Sequence, residues 1–331
     1  MSAELLPIAI DAMGGDAAPG EIVAGARRAA EEHNLPITLV GRPEELTDVG
    51  GLPVVAASQV IAMDADPAKS VRTMKDSSLV RAAEAVRDGA ASAMVSAGNT
   101  GATMASALLR MGRIKGVARP AIATPVPVPG HGLPTILLDA GANAECQPEW
   151  LVQFAQMGAV LAARRYGIEA PRVGLLSIGE EPTKGSPLVK ETHELLSAGG
   201  WETAGASFVG NVEGRDIMTP DVDVVVTDGF TGNVALKSLE GALRSLVDAI
   251  LAAFGTDSET QAAADLLMPA LMPLYATLDP NNTGGAVLLG VKGVCIISHG
   301  SSNATAIVNA ADLARDMVRD DLVGAITEVF G

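Results

Sequence analysis

Residues 93–110 read AMVSAGNTGATMASALLR, and this stretch decides the fold. A short apolar run, 93–95, ends in a polar turn that contains glycine, and an Ala- and Leu-rich segment with helical spacing follows. A buried strand that passes through a tight turn into a helix is the repeating unit of α/β proteins with a mostly parallel sheet. We therefore predict an α/β fold.

The same pattern occurs at five further places along the chain. Apolar runs end in Gly-rich polar turns after residues 10, 138, 176, 226 and 297, and a helical pattern follows most of these turns. One such turn is ordinary, because Gly and Asp are common turn residues, but six together indicate a site. Ligands of open α/β sheets bind beyond the carboxyl ends of the strands. The polar residues of these turns are therefore the candidate site residues.

No long linker divides the 331 residues. The Pro-rich segment 123–134 is the clearest crossing point, because prolines stiffen the chain and remove sheet hydrogen bonds. We place a boundary near residue 120 and predict a first lobe of residues 1–120 plus 285–331 and a second lobe of residues 121–284. The second lobe includes a pair of Ala- and Leu-rich helices within 234–277. The final strand returns to the first lobe, so that the lobes are intertwined.

The composition excludes several classes of function. The chain carries 23 basic and 39 acidic residues, a formal net charge of -16, and only 3% of its residues are aromatic. Such a surface repels nucleic acid and offers few platforms for base stacking.

The two cysteines, Cys146 and Cys295, are too few for a disulfide framework, which favours a cytoplasmic location. The longest apolar stretch, 266–276, is too short to span a bilayer, although the helical pair could rest on lipid or form a dimer or core interface.

Glycine-rich turns that open a helix present N–H groups to an anion such as phosphate. The segments 98–101, 229–233 and 300–302 have this form, and none has the spacing of a P-loop or of a dinucleotide fingerprint. Lys184 could pair with phosphate or with a developing oxyanion, or be a solvated loop lysine. His299 could be a general base, a hydrogen-bond donor or an ordinary turn histidine, and the Gly-Ser-Ser that follows it favours function.

Carboxylates follow several of the strands. Asp11, Asp139 and Asp228 each come directly after a strand or one residue beyond it, and Glu180 and Glu181 follow another. An Asp in this position is more often a turn former or a positioning acceptor than a magnesium ligand, so we predict no metal site. Cys146 is a minor candidate nucleophile, because no histidine lies near it in the sequence.

The segment RMGRIKGVAR, 110–119, reverses the overall charge. It holds four basic residues and no acid. One interpretation is a basic helix C-terminus that complements the helix dipole. The other is a docking surface for an acidic protein or a ligand that carries phosphate.

Seven motifs occur along essentially the whole chain: DAMGGDAAP (11–19), VSAGNTGA (95–102), LLDAGANAEC (137–146), GLLSIGEEPTKG (174–185), GNVEGRDI (210–217), VVTDGFTGNVALKSLEG (225–241) and IISHGSS (296–302). In this order they resemble the bacterial phosphate acyltransferase family, the acyl-acyl carrier protein:phosphate acyltransferases known as PlsX. The resemblance implies a homodimer with a three-layer α/β/α fold similar to that of isocitrate dehydrogenase and phosphotransacetylase, in which two intertwined subdomains surround a cleft.

The family transfers a long-chain acyl group from acyl carrier protein to inorganic phosphate, without a cofactor. The acyl phosphate then serves a membrane glycerol-3-phosphate acyltransferase in phospholipid synthesis. By resemblance, this chain is expected to do the same, in the cytoplasm and with peripheral membrane contact through the helical pair. Three rival interpretations are a phosphotransacetylase that uses acetyl coenzyme A, a dehydrogenase with a nicotinamide and a metal, and a membrane-bound scaffold without catalysis.

Attack of phosphate on a thioester needs a held anion, management of a proton and donors for the oxyanion. We assign phosphate binding to the turn 99–101 together with Lys184. We assign hydrogen-bond donation to the oxyanion or the phosphate to Asn233 and His299. We expect phosphate to attack the thioester directly, without an acyl-enzyme intermediate. The predicted catalytic residues are Lys184, His299, Asn233 and Asp228. The predicted phosphate- or substrate-binding residues are Asp11, Gly14, Gly15, Asn99, Thr100, Gly101, Asp139, Asn143 and Ser301. The predicted residues for docking of acyl carrier protein are Arg110, Arg113, Lys115 and Arg119.

Overall fold

The computed structural model describes residues 6–201 and 205–331 and contains one mixed sheet with helices on both faces. The strands are β1 (Ile8–Asp11), β2 (Ile37–Gly41), β3 (Val54–Ala56), β4 (Ala93–Ser96), β5 (Ala121–Val126), β6 (Thr135–Leu138), β7 (Arg172–Leu176), β8 (Ser207–Val212), β9 (Val224–Val226), β10 (Ala286–Leu289) and β11 (Val294–Ile297). The helices are α1 (Gly20–His33), α2 (Pro67–Thr73), α3 (Ser78–Arg87), α4 (Thr100–Arg110), α5 (Pro148–Tyr166), α6 (Pro187–Ser197), α7 (Gly229–Phe254), α8 (Ser258–Leu278), α9 (Ala304–Arg319) and α10 (Leu322–Phe330). The predicted α/β class is confirmed.

The order of the strands is β3-β2-β1-β4-β11-β10-β5-β6-β9-β7-β8. Strands are parallel within the group β3-β2-β1-β4-β11 and within the group β6-β9-β7-β8. Between the groups, β10 is antiparallel to β11 and to β5, and β5 is antiparallel to β6. Three successive reversals make the two groups run in opposite directions. Their carboxyl ends therefore lie at opposite edges of the sheet.

The core lies on both faces of this sheet, because successive strand residues point to opposite sides. Ile8 and Ile10 of β1 belong to the same buried cluster as residues of α1, α5 and α9, whereas Ala9 belongs to the cluster that α3 and α4 cover. The largest fully buried side chain is Phe154 of α5. Burial on both faces explains why the strands are continuous apolar runs rather than alternating ones.

The Pro-rich segment begins inside the sheet, which differs from the prediction of a crossing segment without sheet hydrogen bonds. Residues 121–126 form β5, with β10 on one side and β6 on the other. Pro125 pairs with Ile136 of β6, whereas β10 pairs only with residues 121–123. Pro125 therefore lies beyond the stretch that has neighbours on both sides, where the missing N–H is tolerated.

The final strand, β11, lies beside β4, and α9 packs against α1. We keep the names first lobe and second lobe for residues 1–120 with 285–331 and for residues 121–284. The division itself stays a prediction.

The predicted helical pair is confirmed as a hairpin of α7 and α8. α7 begins at Gly229, five residues before the predicted start, because the Asp228 side chain caps it. Much of the hairpin is exposed, and Leu266 is 83% exposed. Among the helices of the described residues, none combines the length and the apolarity needed to cross a membrane.

Candidate active site

Asp11 joins the ends of two neighbouring strands of the first lobe. Asp11 is buried, at 2% exposed, and its carboxylate accepts hydrogen bonds from the Met13 N–H, at 3.3 Å, and from Ser96 Oγ at the end of β4, at 2.8 Å. Burial raises the pKa of the Asp11 carboxyl, and hydrogen bonds from Ser78, Ser96 and Met13 oppose this rise. Asp11 therefore positions the two turns that follow β1 and β4.

These two turns meet through their backbones at Gly14. A Cβ atom at Gly14 would lie 2.7 Å from Asp11 Oδ2 and 2.7 Å from the Gly98 nitrogen. Gly15 has a φ of +115° and lies against Gly300, so that the turn after β11 joins the other two. Only glycine allows this close approach of three turns. We call this group of turns the first-lobe cluster.

Asn99 caps α4 rather than facing open solvent. Its Oδ1 accepts the Ala102 N–H at 2.9 Å, and its Nδ2 donates to the carbonyl oxygens of Met63, at 2.7 Å, and Ala65, at 3.1 Å. The Asn99 side chain therefore holds the turn. The N–H groups available to an anion are those of Thr100 and Gly101, which have no partner within the helix because they start it.

His299 is exposed at the end of β11. Its Nδ1 accepts the Ser301 N–H at 3.2 Å and lies 2.8 Å from Ser301 Oγ. Because the N–H of Ser301 occupies Nδ1, the neutral ring carries its hydrogen on Nε2. The Nε2 atom is therefore the one that can donate to a phosphate or an oxyanion.

Asp139 organises a second group of turns, at the end of β6. Its fully buried carboxylate accepts five hydrogen bonds, from the N–H groups of Ile122, Gly141, Ala142 and Asn143 and from Asn143 Nδ2. Burial raises the pKa of the Asp139 carboxyl, and these donors oppose the rise. The carboxylate positions the turn and has no free face for a substrate.

The first turn of α7 packs on this turn, backbone to backbone. The Gly229 N–H donates to the Asn143 carbonyl oxygen at 2.7 Å, and a Cβ atom at Gly232 would lie 2.0 Å from the Asp139 carbonyl oxygen. Asn233 is exposed, and its Nδ2 lies 2.8 Å from where a Cβ of Gly141 would be. We call this group the second-lobe cluster; Asn233 is its exposed donor.

Both carboxylate oxygens of Asp228 and the side-chain amide nitrogen of Asn143 make hydrogen bonds within the chain. Asp228 accepts hydrogen bonds from the Thr231 N–H, at 2.9 Å, and from Thr231 Oγ1, at 2.8 Å. Asn143 Nδ2 donates to Asp139 and, at 2.8 Å, to the Pro120 carbonyl oxygen. Both residues therefore shape the second-lobe cluster.

Lys184 is exposed on the loop after β7, at the same sheet edge as Asp139. The Lys184 N–H donates to the Glu181 carbonyl oxygen at 2.9 Å and closes a turn, and no carboxylate of the described chain lies within ion-pair distance of its ammonium group. Asn211, at the end of β8, donates to the same carbonyl at 2.9 Å. The Lys184 charge is therefore available to an anion.

Cys146 lies next to the second-lobe cluster, with Sγ 3.6 Å from the Asn143 carbonyl oxygen. Burial, the largest effect, raises the pKa of its thiol to about 12, and the charges of Asp139 and Asp228 act in the same direction. A thiol in this state is almost entirely protonated near neutral pH and is a poor nucleophile.

The structure thus divides the predicted site residues between two sheet edges. The first-lobe cluster contains Asp11, Gly14, Gly15, Asn99, Thr100, Gly101, His299 and Ser301. The second-lobe cluster and its neighbouring loop contain Asp139, Asn143, Asp228, Asn233 and Lys184. The predicted assignment makes the turn 99–101 act with Lys184 and makes Asn233 act with His299. In each of these two pairs, the partners lie at opposite edges of the sheet.

Most of the basic segment 110–119 is engaged within the chain. Arg110 lies 3.8 Å from Glu84 and donates to the Val71 carbonyl oxygen, and Arg113 donates to the Ala118 carbonyl oxygen. The Arg119 guanidinium stacks 4.8 Å from the centre of the Trp150 ring. Lys115 is exposed. Docking of a carrier protein at this segment stays a prediction.

Two features of the site were not anticipated from the sequence. Ser96, which links Asp11 to the Gly98 N–H, looks like an ordinary turn serine. Asn211 follows an apolar run but supports the Lys184 loop, and its Oδ1 is buried without a hydrogen-bond partner. Within residues 6–201 and 205–331, no group of three or more His, Cys, Asp and Glu side chains is arranged to hold a metal ion.

Comparisons with known proteins cover the whole site. A family model described as "Fatty acid synthesis protein" matches residues 6–324. Proteins named phosphate acyltransferase are similar to this chain throughout. The one from Heliobacterium modesticaldum is 49% identical over 330 residues, which cover 97% of this chain and 96% of that protein. The one from Elusimicrobium minutum is 48% identical over 97% of this chain and 95% of that protein.

Solved structures share the fold at low sequence identity. A phosphotransacetylase from Streptococcus pyogenes superposes with a TM-score of 0.64 at 16% identity, covering 95% of this chain and 94% of that one. A branched-chain phosphotransacylase from Enterococcus faecalis gives 0.62 at 16% identity, covering 95% and 99%. A 4-hydroxythreonine-4-phosphate dehydrogenase from Klebsiella pneumoniae gives 0.52 at 11% identity, covering 95% and 99%. The predicted phosphotransacetylase-like fold is confirmed.

Proposed function

The chain belongs to the phosphate acyltransferase family of fatty acid synthesis proteins, and from this premise we propose that it transfers a long-chain fatty acyl group from acyl carrier protein to inorganic phosphate. The chain is a phosphate acyltransferase. The proposal adds the identity of the acyl donor, the length of the acyl group and the residues that act in the reaction.

The reaction forms one bond and breaks one. An oxygen of phosphate attacks the thioester carbon, the tetrahedral oxyanion collapses, and the C–S bond breaks to give an acyl phosphate and the carrier thiolate. The thiolate needs little acid catalysis, because the pKa of an ordinary thiol is about 8.5. The enzyme therefore has to hold two anions, the phosphate and the oxyanion, close to one carbon.

Donors suited to these anions are found at both sheet edges. The Lys184 ammonium and Asn233 Nδ2 belong to the second-lobe edge, and the first N–H groups of α4 and His299 Nε2 belong to the first-lobe edge. The observation that carries the proposal is the Asp139 network, because its five donors fix the turn on which the exposed Asn233 rests. We assign phosphate binding to Lys184 and oxyanion donation to Asn233, which share the second-lobe edge. The roles predicted for the turn 99–101 and for His299, at the opposite edge, stay predictions.

Direct attack by phosphate is favoured over an acyl-enzyme. Cys146 is the one thiol beside the second-lobe cluster among the described residues, and its raised pKa disfavours the thiolate that a covalent route needs.

The proposed partners are acylated acyl carrier protein, phosphate, a second copy of this chain and a membrane glycerol-3-phosphate acyltransferase that takes the product. A cytoplasmic location with peripheral membrane contact follows from these partners. The exposed apolar side chains of the hairpin, Leu266 and Leu267 among them, support a surface that meets lipid or the second copy. Flotation with liposomes at low salt, with light scattering in parallel, distinguishes the two surfaces.

The test of the proposed function uses purified protein with palmitoyl acyl carrier protein and phosphate. Hydroxylamine traps the acyl phosphate, and mass spectrometry follows both the hydroxamate and the free carrier thiol. We expect both products, and both should depend on phosphate. Activity with acetyl coenzyme A alone would instead indicate a phosphotransacetylase, and inactivity with every thioester would favour the scaffold.

A further inference from the structure

A groove of about 300 Å³ lies at the root of the α7–α8 hairpin. One wall is α7, the opposite wall is the end of α8, and the floor is residues 124–127 of β5 and the segment after it. The loop 279–283 closes one side. The volume is in the range of pockets that hold small ligands.

The wall formed by α7 is apolar along its length. Leu236, Leu239, Leu243 and Val247 line the groove at helical spacing, and each is half-buried although the neighbouring residues of α7 are mostly exposed. The side chains of Tyr275 and Leu278 of α8 face them across the groove. Charged side chains, Arg244 and Asp248, are exposed at the rim.

One end of the groove begins one helical turn away from the second-lobe cluster. Asn233 precedes Leu236 by three residues, one turn of the same helix. Leu236 packs against two buried clusters of the core. From Asn233 to Val247 the helix is roughly 21 Å long, at 1.5 Å per residue. An extended long-chain acyl group needs this length, and an acetyl group does not.

The groove also lies near the first-lobe cluster. Thr124 on its floor follows Ala123, which pairs with Val287 of β10, and Val287 pairs with Ile296 of β11. Two strand spacings, roughly 10 Å, therefore separate the floor from the strand that leads to His299.

We propose that this groove binds the hydrocarbon chain of the acyl substrate, with the thioester carbon at the Asn233 end and the chain along Leu239, Leu243 and Val247. This inference rests on the proposed function. An apolar channel that starts beside the polar donors is the arrangement that an acyl thioester requires, because the reacting carbon is polar and the chain is not. Leu243 lies roughly 15 Å along α7 from Asn233, beyond the reach of a short chain.

Substitution of Leu243 tests this arrangement. Leu243→Trp narrows the groove far from Asn233, so kcat/KM for palmitoyl acyl carrier protein should fall at least about tenfold, while kcat/KM for octanoyl acyl carrier protein should change less than about twofold. Leu195→Trp is the matched control, because Leu195 is an exposed leucine on α6 that lies outside both the groove and the hairpin. It should leave the ratio of the two substrates unchanged.

A second variant and a binding measurement avoid dependence on one substitution. Leu243→Ala widens the groove and should leave the octanoyl reaction unchanged while weakening the binding of palmitoyl phosphonate, an unreactive product analogue, measured by calorimetry. Wild-type protein should bind the analogue, and the Leu243→Trp variant should bind it at least about tenfold more weakly.

The outcomes separate this inference from the proposed function. Wild-type protein that converts no acyl thioester contradicts the proposed function. If the wild-type protein is active and both Leu243 variants keep the wild-type ratio of kcat/KM for palmitoyl over octanoyl acyl carrier protein, only the proposal for the groove is contradicted. If kcat/KM falls equally for both substrates and light scattering shows a change from dimer to monomer, then a second copy of the chain covers the groove. This outcome also overturns the inference.

Discussion

Asp139 and Asn143 are joined by two hydrogen bonds, from the Asn143 N–H at 2.7 Å and from Asn143 Nδ2 at 2.8 Å to the same carboxylate oxygen. The other oxygen accepts the N–H of Ile122, at the start of β5, at 3.1 Å. One buried carboxylate therefore fixes both the turn after β6 and the strand beside it. The first turn of α7 rests on this turn, so the position of Asn233 depends on Asp139.

Replacement of Asp139 by asparagine should destabilise the protein. The amide would point an NH₂ group at N–H donors and leave buried donors without an acceptor, which should lower the free energy of unfolding by about 2 to 4 kcal/mol. Urea denaturation measures the change. Glu191→Gln, an exposed carboxylate on α6, is the control and should change it by less than about 0.5 kcal/mol. Equal stability of the two variants would contradict the role of Asp139.

Cys146 should be dispensable and slow to react. Cys146→Ala should keep kcat within about twofold of wild type, because direct attack uses no thiol. In the wild-type protein, alkylation of Cys146 by iodoacetamide should be slow at pH 8 and rise about tenfold per pH unit, since the pKa of the thiol is about 12 and the thiolate is the reacting form. Peptide mass spectrometry measures the rate, with urea-unfolded protein as the reference. A trapped acyl-Cys146 would contradict direct attack.

The sequence predicts much of this fold correctly because its strands are buried on both faces. The runs that end after residues 138 and 297 are β6 and β11, and the helical pair within 234–277 is α7 and α8. Each is marked by an uninterrupted apolar run or by helical spacing, which are local signals.

The arrangement of the site depends on contacts that no local pattern records. The Gly-rich turns after β4 and β9 look alike in sequence, yet the reversals at β10 and β5 send them to opposite edges of the sheet. The polar side chains of Asn99 and Asp228 have the residue types of ligands, but both cap helices. Strand direction and capping therefore decide which predicted residues are free to bind an anion.

Lys184 should contribute strongly to turnover. Lys184→Ala removes an exposed charge that no carboxylate of the described residues neutralises, and kcat/KM for phosphate should fall about 10² to 10³-fold. Steady-state kinetics at varied phosphate concentration measure the effect. Lys190→Ala, an exposed lysine on α6, is the matched control and should leave kcat/KM unchanged. Equal activity of the two variants would remove Lys184 from the site.

Docking of acyl carrier protein should depend on the exposed part of the basic segment. Arg110 is held by Glu84 and Val71, so its reversal perturbs the fold as well as the surface. Arg113 is likewise held by the Ala118 carbonyl oxygen. Lys115→Glu, which reverses an exposed charge, should raise KM for acyl carrier protein about threefold and spare kcat, with a smaller effect at high salt. An unchanged KM would move the docking surface elsewhere.

His299 offers a test in which the loop and the chemistry can be separated. In His299→Asn, the amide oxygen can accept the Ser301 N–H as Nδ1 does, so the turn after β11 should persist, whereas the Nε2 donor is lost. We expect kcat to fall about 10² to 10³-fold, with the melting temperature within about 2 °C of wild type.

The control is His131→Asn, because His131 is also an exposed loop histidine whose Nδ1 forms hydrogen bonds with the residue two positions later, Leu133. It should keep full activity. If His299→Asn also keeps full activity, then the anions are held by Asn233, Lys184 and backbone N–H groups, and His299 serves only the turn.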